Sequence, residues 1–167
     1  MPSPSWEFRH PTRFTAGATG RPGARVFYLQ VFADGSEIDL KCEKQQVTML
    51  ADQLLRLLAD LPDAESPGTV AATEALPPGE LLWVVGSISI GVDHSEDRIV
   101  VLLEEMILDE DDGSLTTGPG SLRLHLSTEQ VRGFAAQAAV LASAGRPTSR
   151  LCGQPVDPDG HACPRLN

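Results

Sequence analysis

The residues of this chain best suited to chemistry lie in its last sixteen positions, CGQPVDPDGHACPRLN. Two thiols and an imidazole, those of Cys152, Cys163 and His161, fall within this short segment rich in proline and glycine. Thiolate and neutral imidazole are ligands that zinc prefers, and tight turns can bring them together without a large apolar core. The segment therefore predicts a carboxyl-terminal zinc site. The alternative is a flexible extension in which the Cys and His residues are incidental.

The predicted zinc site is one ligand short, because a closed structural site takes four. The sequence CGQP at 152–155 resembles the second half of a zinc knuckle, whose first half would place a thiol where this chain has Ser149. Water, a partner chain or another residue could supply the fourth ligand. The candidates within the chain are Asp157, Asp159, the terminal carboxylate, Cys42 and His125. Three ligands would also suit catalytic zinc, but the sequence places no Glu or His as its general base.

A glycine-rich segment near the amino terminus, GATGRPG at 17–23, is the second candidate site. Arg13, Arg21 and Arg25 surround it and could bind a phosphate or a carboxylate. The segment lacks the Gly-Lys-Ser/Thr ending of a phosphate-binding loop and does not lead into a helix. A tight turn between strands therefore explains its glycines equally well. An enzyme acting on a small anion would also need a carboxylate such as Glu104 for acid–base chemistry.

A polar run, DHSED at 93–97, contains every residue type of a hydrolytic triad. The members of a triad normally come from separate segments that converge in space. Because this run joins two apolar segments, it is predicted to be a hairpin turn. Glu104 and Glu105 lie on the second of these segments, where adjacent side chains of a strand point to opposite faces.

The elements that must position these residues begin with strands followed by a helix. The strands predicted in the amino-terminal half are 14–19, 25–33 and 37–42. Asp34 and Gly35 predict a tight hairpin turn between the last two. From Glu43 the leucines recur at helical spacing until Pro62 ends the pattern, which predicts an amphipathic helix.

The carboxyl-terminal half repeats this order. Its predicted strands are 81–92, 98–108 and 121–126. Ser127 and Gln130 have the spacing of a capping box, and the apolar residues after them recur at helical spacing. Between the halves, residues 62–79 lack periodicity and are rich in Pro, Ala, Ser and Glu. They are predicted to form an acidic, proline-rich linker or exposed loop.

The two halves also resemble each other in sequence. When 40–57 is aligned with 124–141, Gln46 matches Gln130, together with several Leu, Val and Ala positions. The pattern predicts an α+β fold, an antiparallel sheet with two helices on one face, in which two β-hairpin–strand–helix repeats form a pseudo-dimer. Convergent amphipathic patterning is the alternative. The predicted boundaries are about 12–61 and 80–143 for the repeats, 1–145 for the domain and 146–167 for a zinc-knuckle-like tail.

The length and composition limit the size of the fold, the kinds of partner and the compartment that we expect. A chain of 167 residues fits one domain with a real core. Its formal net charge of −10 disfavours nucleic acid or an anionic membrane as the main partner. The sequence shows no signal peptide and no apolar run long enough to span a bilayer. Its three cysteines, an odd number, argue against a disulfide framework, so we expect a cytoplasmic protein.

Three segments resemble DUF3090, an actinobacterial family of unknown function. They are FRHPTRFTAGATGRPGARVFYLQ at 8–30, EKQQV at 43–47 and CGQPVDPDGHACPR at 152–165. Family members typically carry Cys-Pro-Leu-Cys in the tail, where this chain reads SRLC at 149–152. They also tend to be encoded beside a histidine-phosphatase-like and a kinase-like protein. The resemblance therefore implies a protein partner linked to phosphorylation.

Taken together, the sequence predicts a non-enzymatic binding or adaptor protein with a zinc-stabilised carboxyl-terminal knuckle. Cys152, His161 and Cys163 would be its structural metal ligands. The alternative is an enzyme that acts on a small phosphorylated or carboxylate substrate through the arginine-rich amino-terminal loop. That alternative requires the arginines and Glu104 to meet in one pocket.

Overall fold

The computed structural model describes residues 3–21, 23–61 and 70–144. Cys152, His161 and Cys163 lie outside these ranges, so the predicted zinc site is not part of the described structure. The described strands are β1 (Ser5–Phe8), β2 (Arg13–Thr19), β3 (Val26–Ala33), β4 (Ser36–Cys42), β5 (Leu81–Asp93), β6 (Arg98–Leu108) and β7 (Leu115–Leu126). The helices are α1 (Lys44–Leu58) after β4 and α2 (Thr128–Ala144) after β7. Neither helix is long and apolar enough to cross a membrane.

The seven strands form one sheet in the order β1-β7-β6-β5-β4-β3-β2. The predicted α+β class is confirmed, but the predicted all-antiparallel sheet is wrong, because β1 pairs with β7 and β4 pairs with β5 in parallel. Strand β1 was not predicted from the sequence, because four residues are too few to show the alternation of apolar and polar side chains that marks a strand. The parallel pairing of β4 with β5 follows from α1 and the long connection after it, which return the chain to the same end of the sheet.

Strand β7 begins at Leu115, earlier than the predicted 121. Its first half, LTTGPGS, reads as a loop because glycine and proline interrupt it. Pro119 lies where the pairing of β6 with β7 shifts register, between the pairs that join Thr117 to Met106 and Ser121 to Glu104. An irregularity of this kind tolerates a proline that cannot donate to the ladder.

One hydrophobic core lies between the sheet and the two helices. The helices contact each other as well as the sheet, so they share one face. Phe14 of β2 stacks on Phe134 of α2 with ring centroids 4.6 Å apart. The predicted capping box is present, because the Ser127 hydroxyl accepts a hydrogen bond from the Gln130 backbone N–H and the Gln130 side chain accepts one from the Ser127 N–H.

The face of the sheet opposite the helices, called here the outer face, is covered over β2, β3 and β4 by residues 70–80, the crossing segment. Its Thr73 N–H bonds the Gly133 carbonyl of α2 at 3.1 Å, and its Leu76 exchanges two hydrogen bonds with the Gln30 side chain of β3. Farther along, the Gly79 N–H donates to Asp39 Oδ2 of β4 at 2.7 Å. The crossing segment therefore passes from α2 round the edge strand β2 and onto the outer face.

Candidate functional site

A buried imidazole between two carboxylates is the most unusual polar feature of the described structure. His125 of β7 is 5% exposed. Its Nε2 lies 3.5 Å from Glu7 Oε1 of β1, and its Nδ1 lies 3.9 Å from Asp93 Oδ2 at the end of β5. Both ring nitrogens are buried without a hydrogen bond. Because buried polar atoms are almost always paired, this ring is a candidate ligand for a cation.

The alternation of β7 puts this histidine on the outer face. Its neighbours Leu124 and Leu126 belong to the core, so the side chain between them points away from the helices. His125 pairs with Val100 of β6. The Arg98 guanidinium donates a hydrogen bond to the backbone carbonyl oxygen of His125 at 3.2 Å. The backbone of β7 is therefore fixed by a hydrogen bond, while the ring nitrogens make none.

Asp93 opens the DHSED turn, which joins β5 to β6 as predicted. Hydrogen bonds from the hydroxyl and the backbone N–H of Ser95 lower the pKa of Asp93 below its usual value. The carboxylate beside His125 Nδ1 is thus ionised at neutral pH. His94 of the same turn is exposed, so the turn does not assemble the geometry of a hydrolytic triad.

Cys42, a candidate fourth zinc ligand, lies in the core. Its side chain faces the helices and is 3% exposed. Burial raises the pKa of the Cys42 thiol to about 12, and the negative charge of Glu43 makes a smaller contribution in the same direction. A thiol held protonated in this way is a poor metal ligand, since zinc binds the thiolate.

Alkylation tests this assignment. In a Cys152→Ala, Cys163→Ala double variant, Cys42 is the one thiol left in the chain. We expect iodoacetamide at pH 8 to alkylate it at least about a thousandfold more slowly in the folded protein than in urea, because the thiolate fraction falls with the raised pKa. A folded-state rate close to the rate in urea would contradict the buried position of Cys42.

No group of three or more His, Cys, Asp or Glu side chains that could hold a metal ion occurs within residues 3–21, 23–61 and 70–144. Any zinc bound at His125 must therefore take further ligands from elsewhere.

The three arginines of the predicted anion site do not converge. Arg13 pairs opposite Phe32 at one end of the β2–β3 hairpin, whereas Arg25 follows the turn at the other end. Six residues of strand separate these ends, about 20 Å at the rise of a strand. Arg13 and Arg25 donate to backbone carbonyls, those of Glu74 and Ala144, and Arg21 is exposed in the turn between the strands.

The carboxylates proposed to work with these arginines lie elsewhere. Glu104 is on β6, four strand spacings from β2, or about 19 Å at the usual separation of neighbouring strands. Glu105 is buried and accepts hydrogen bonds from the Gly120 N–H at 2.9 Å and the Ser3 hydroxyl at 2.7 Å. The single pocket that the enzyme hypothesis required is not formed by these residues.

An exposed apolar surface at the end of the β6–β7 hairpin was missed by the sequence reading. Ile107, Leu108 and Leu115 are 38%, 66% and 63% exposed, and Leu108 pairs directly with Leu115. The turn between them carries four consecutive acidic residues, 109–112. We call these residues, 107–115, the hairpin end. The signal was present in the sequence as two leucines flanking an acidic turn.

Comparison with known proteins identifies a family and no function. A sequence model described as "Protein of unknown function (DUF3090)" matches residues 6–163. This range includes the two terminal cysteines and His161. No curated protein and no solved structure matches the chain.

Proposed function

The chain belongs to the DUF3090 family of proteins of unknown function, and we propose that it is a cytoplasmic, non-enzymatic adaptor that binds a protein partner through the hairpin end. The observation that carries this proposal is the exposure of Leu108 and Leu115, each more than three-fifths exposed and paired side by side. Contiguous apolar surface rimmed by polar residues is typical of protein-binding sites.

The chemistry around the hairpin end favours a basic partner. The acidic turn 109–112 borders the leucines, and the chain as a whole carries a net charge of −10. Beside Leu115 lies a cleft of about 200 Å³, whose wall includes the buried Glu105 and the exposed Thr116. A Lys or Arg side chain of the partner would fit such a cleft, next to apolar residues that cover the leucines.

Peptide selection tests the partner surface. Random peptides displayed on phage are selected on the full-length protein, and enriched peptides should combine a large apolar residue with Lys or Arg. We expect Leu108→Asp to weaken their binding roughly tenfold or more, as for the loss of an interface anchor. Leu55→Asp, which alters an exposed leucine on α1, is the matched control and should leave binding unchanged. No enrichment, or equal binding to Leu108→Asp, would contradict the proposal.

We further propose that the adaptor is built as a pseudo-dimer of two equivalent units, β1–β4 with α1 and β5–β7 with α2. The strand pairing supports this, because the last strand of each unit pairs in parallel with the first strand of the other. Strand β5 then changes partner from β4 to β6. In the first unit two separate strands take these two roles. Strand β1 pairs with β7 of the other unit, and β2 pairs with β3 of its own unit.

Two glutamines that align in the sequence make equivalent hydrogen bonds. The side-chain oxygens of Gln46 and Gln130 each accept from the backbone N–H three residues earlier, at 2.8 and 3.0 Å. Their Nε2 atoms donate to Val85 O at 3.1 Å and to Pro11 O at 2.6 Å. Each acceptor lies in the other unit, where the chain changes strand partner. These matching hydrogen bonds support the equivalence of the two units over a chance similarity of two amphipathic patterns.

The zinc-stabilised knuckle completes the proposal. Cys152, His161 and Cys163 would hold the ion, and the support for it is their chemistry and their spacing within a Pro- and Gly-rich segment. Zinc would supply folding free energy to a segment that has little apolar material for a core. Its removal tests this part of the proposal and is treated in the Discussion.

A further inference from the structure

We propose that Glu105 selects the partner of this protein by binding one arginine side chain of that partner in the cleft beside the hairpin end. The inference rests on the partner surface proposed above. It adds the residue that recognises the partner, the chemical group that this residue recognises, and a site that can be tested with a single amino acid.

Glu105 occupies a position at which the strand pattern calls for an apolar side chain. Ile99, Val101 and Leu103 alternate along β6 into the core, and each is 0% exposed. Two residues after Leu103 the same row continues with Glu105, which is 7% exposed. A conflict of this kind between residue type and position is expected at functional sites. The side chain of Glu105 is therefore a candidate for binding rather than for packing.

In the described part of the chain, the buried carboxylate has no cation beside it. Its Oε1 accepts a hydrogen bond from the Ser3 hydroxyl at 2.7 Å, and its Oε2 accepts one from the Gly120 N–H at 2.9 Å. No described Lys, Arg or His forms an ion pair with Glu105. A buried charge is costly unless it is paired, and each carboxylate oxygen can accept a second hydrogen bond. Both oxygens of Glu105 can therefore bind a cationic donor.

Strand pairing is irregular on both sides of Glu105. On the β7 side the register shifts at this point, and residues 118–120 lie opposite Glu105 alone. On the β5 side, Gly86 is the additional residue of a second register shift. Irregularities of this kind are over-represented next to active sites, where they re-aim a side chain. The cleft lies at the same point, because Gly86 and Glu105 both line it.

Two glycines of β7 make room for the carboxylate. A Cβ at Gly118 would lie 2.7 Å from Glu105 Oε2, and a Cβ at Gly120 would lie 2.9 Å from the same oxygen. Neither glycine has a positive φ, so lack of space rather than backbone conformation excludes a side chain. Gly118 follows Thr117, which lines the cleft. The carboxylate therefore lies against the strand that forms the cleft wall.

The lining of the cleft suits a guanidinium group on an apolar stem. Thr116 and Ser87 contribute hydroxyl groups, which can accept further hydrogen bonds. Met106 and Leu115 contribute apolar surface, against which the methylene groups of an arginine can pack. A guanidinium donates two parallel hydrogen bonds to a carboxylate, whereas an ammonium acts as a point charge. The two oxygens of Glu105 therefore favour arginine over lysine.

The charge of the surrounding hairpin has a single sign. Between Arg98 and Arg123 the chain has no Lys, Arg or His, and it has six Asp and Glu residues. Hydrogen bonds from the hydroxyl and the backbone N–H of Ser114 lower the pKa of Asp112 below its usual value. The turn beside the cleft is thus negative at neutral pH, and its field attracts a cationic side chain.

The test titrates the full-length protein with N-acetyl-arginine amide and follows the backbone amides by nuclear magnetic resonance. We expect saturable shifts of the Gly120 amide, which bonds Glu105, with a dissociation constant of roughly 1–10 mM for so small a ligand. N-acetyl-citrulline amide has the same shape without the charge and should bind at least about tenfold more weakly. Equal affinity for the two ligands, or no binding of the arginine ligand, would overturn the inference.

Two variants that remove the same charge separate recognition from structure. Glu105→Gln keeps an oxygen that can accept the Gly120 hydrogen bond, and it should weaken the arginine ligand about tenfold or more. Glu104→Gln changes the adjacent residue, whose side chain points to the other face of the sheet, and should change binding by less than about twofold. Wild-type affinity in Glu105→Gln, or an equal loss in both variants, would overturn the inference. The comparison of the two ligands on the wild type does not depend on the folding of either variant.

The same measurements separate this inference from the partner surface on which it rests. If the arginine ligand binds at Glu105 while Leu108→Asp leaves the binding of selected peptides unchanged, the arginine site stands and the proposed partner surface is wrong. If the peptides need Leu108 but bind Glu105→Gln as tightly as the wild type, the partner surface stands and the role of Glu105 is wrong.

Discussion

Replacing Cys163 with alanine is expected to strip the protein of zinc. Wild-type protein purified without a chelator should carry close to one zinc ion per chain. The variant should carry almost none, because a tetrahedral structural site that loses a thiolate keeps too few ligands to hold the ion. Zinc sites of this kind supply free energies of about 10–16 kcal/mol to the folding of small segments, so the effect on residues 145–167 should be large.

Elemental analysis and limited proteolysis measure the two consequences. In the Cys163→Ala variant, and in wild type treated with a chelator, cleavage within 145–167 should accelerate while far-ultraviolet circular dichroism stays that of the folded domain. Cys42→Ala is the matched control, since its thiol is buried away from the proposed site, and it should retain zinc. The zinc-stabilised knuckle would be contradicted by equal zinc content in wild type and Cys163→Ala. It would also be contradicted if the chelator left the rate of cleavage within 145–167 unchanged.

Replacing Phe134 with alanine is expected to lower the free energy of unfolding by about 3–5 kcal/mol, the usual cost of removing a buried phenyl ring. Phe134 is 0% exposed and Phe14, on which it stacks, is 1% exposed. The pair joins α2 to the edge strand β2. The cavity would therefore open inside the core, between the sheet and α2.

Urea unfolding followed by circular dichroism measures this loss as a lower midpoint at an unchanged slope. Val140→Ala on the same helix is the control, because Val140 is 48% exposed and its truncation should change stability by less than about 0.5 kcal/mol. A loss below 1 kcal/mol in Phe134→Ala would mean that the stack does not hold α2 on the sheet.

Local features of this fold could be predicted because short-range chemistry determines them. Asp34 and Gly35 both take positive φ values, 51° and 77°, as the predicted tight hairpin requires. The capping box of α2 and the extent of β6 follow from residue types a few positions apart. In each case the residues that decide the structure are neighbours in the chain.

Features that depend on distant contacts could not be predicted in the same way. Strand β1 exists because Trp6 and Phe8 pair with β7, more than a hundred residues later. The crossing segment looks like a linker by composition, yet Gln30 and Asp39 fix it on the outer face. Nothing near His125 in the sequence indicates that Glu7 and Asp93 flank it, since they come from other strands.

The same distinction applies to the candidate sites. The arginine hypothesis assumed that residues close in sequence share a site, but Arg13 and Arg25 lie at opposite ends of a hairpin. His125 was one of several possible fourth ligands by residue type alone. The register of β7 puts its side chain on the outer face of the sheet, whereas Cys42 lies in the core on the helix side.

X-ray absorption at the zinc edge of the wild-type protein tests the account most directly. We expect two sulfur ligands at about 2.3 Å and a nitrogen ligand at about 2.0–2.1 Å, with one of the sulfurs lost in Cys163→Ala. This result would establish the knuckle. A protein without zinc, or a zinc ion surrounded mainly by oxygen, would contradict the account.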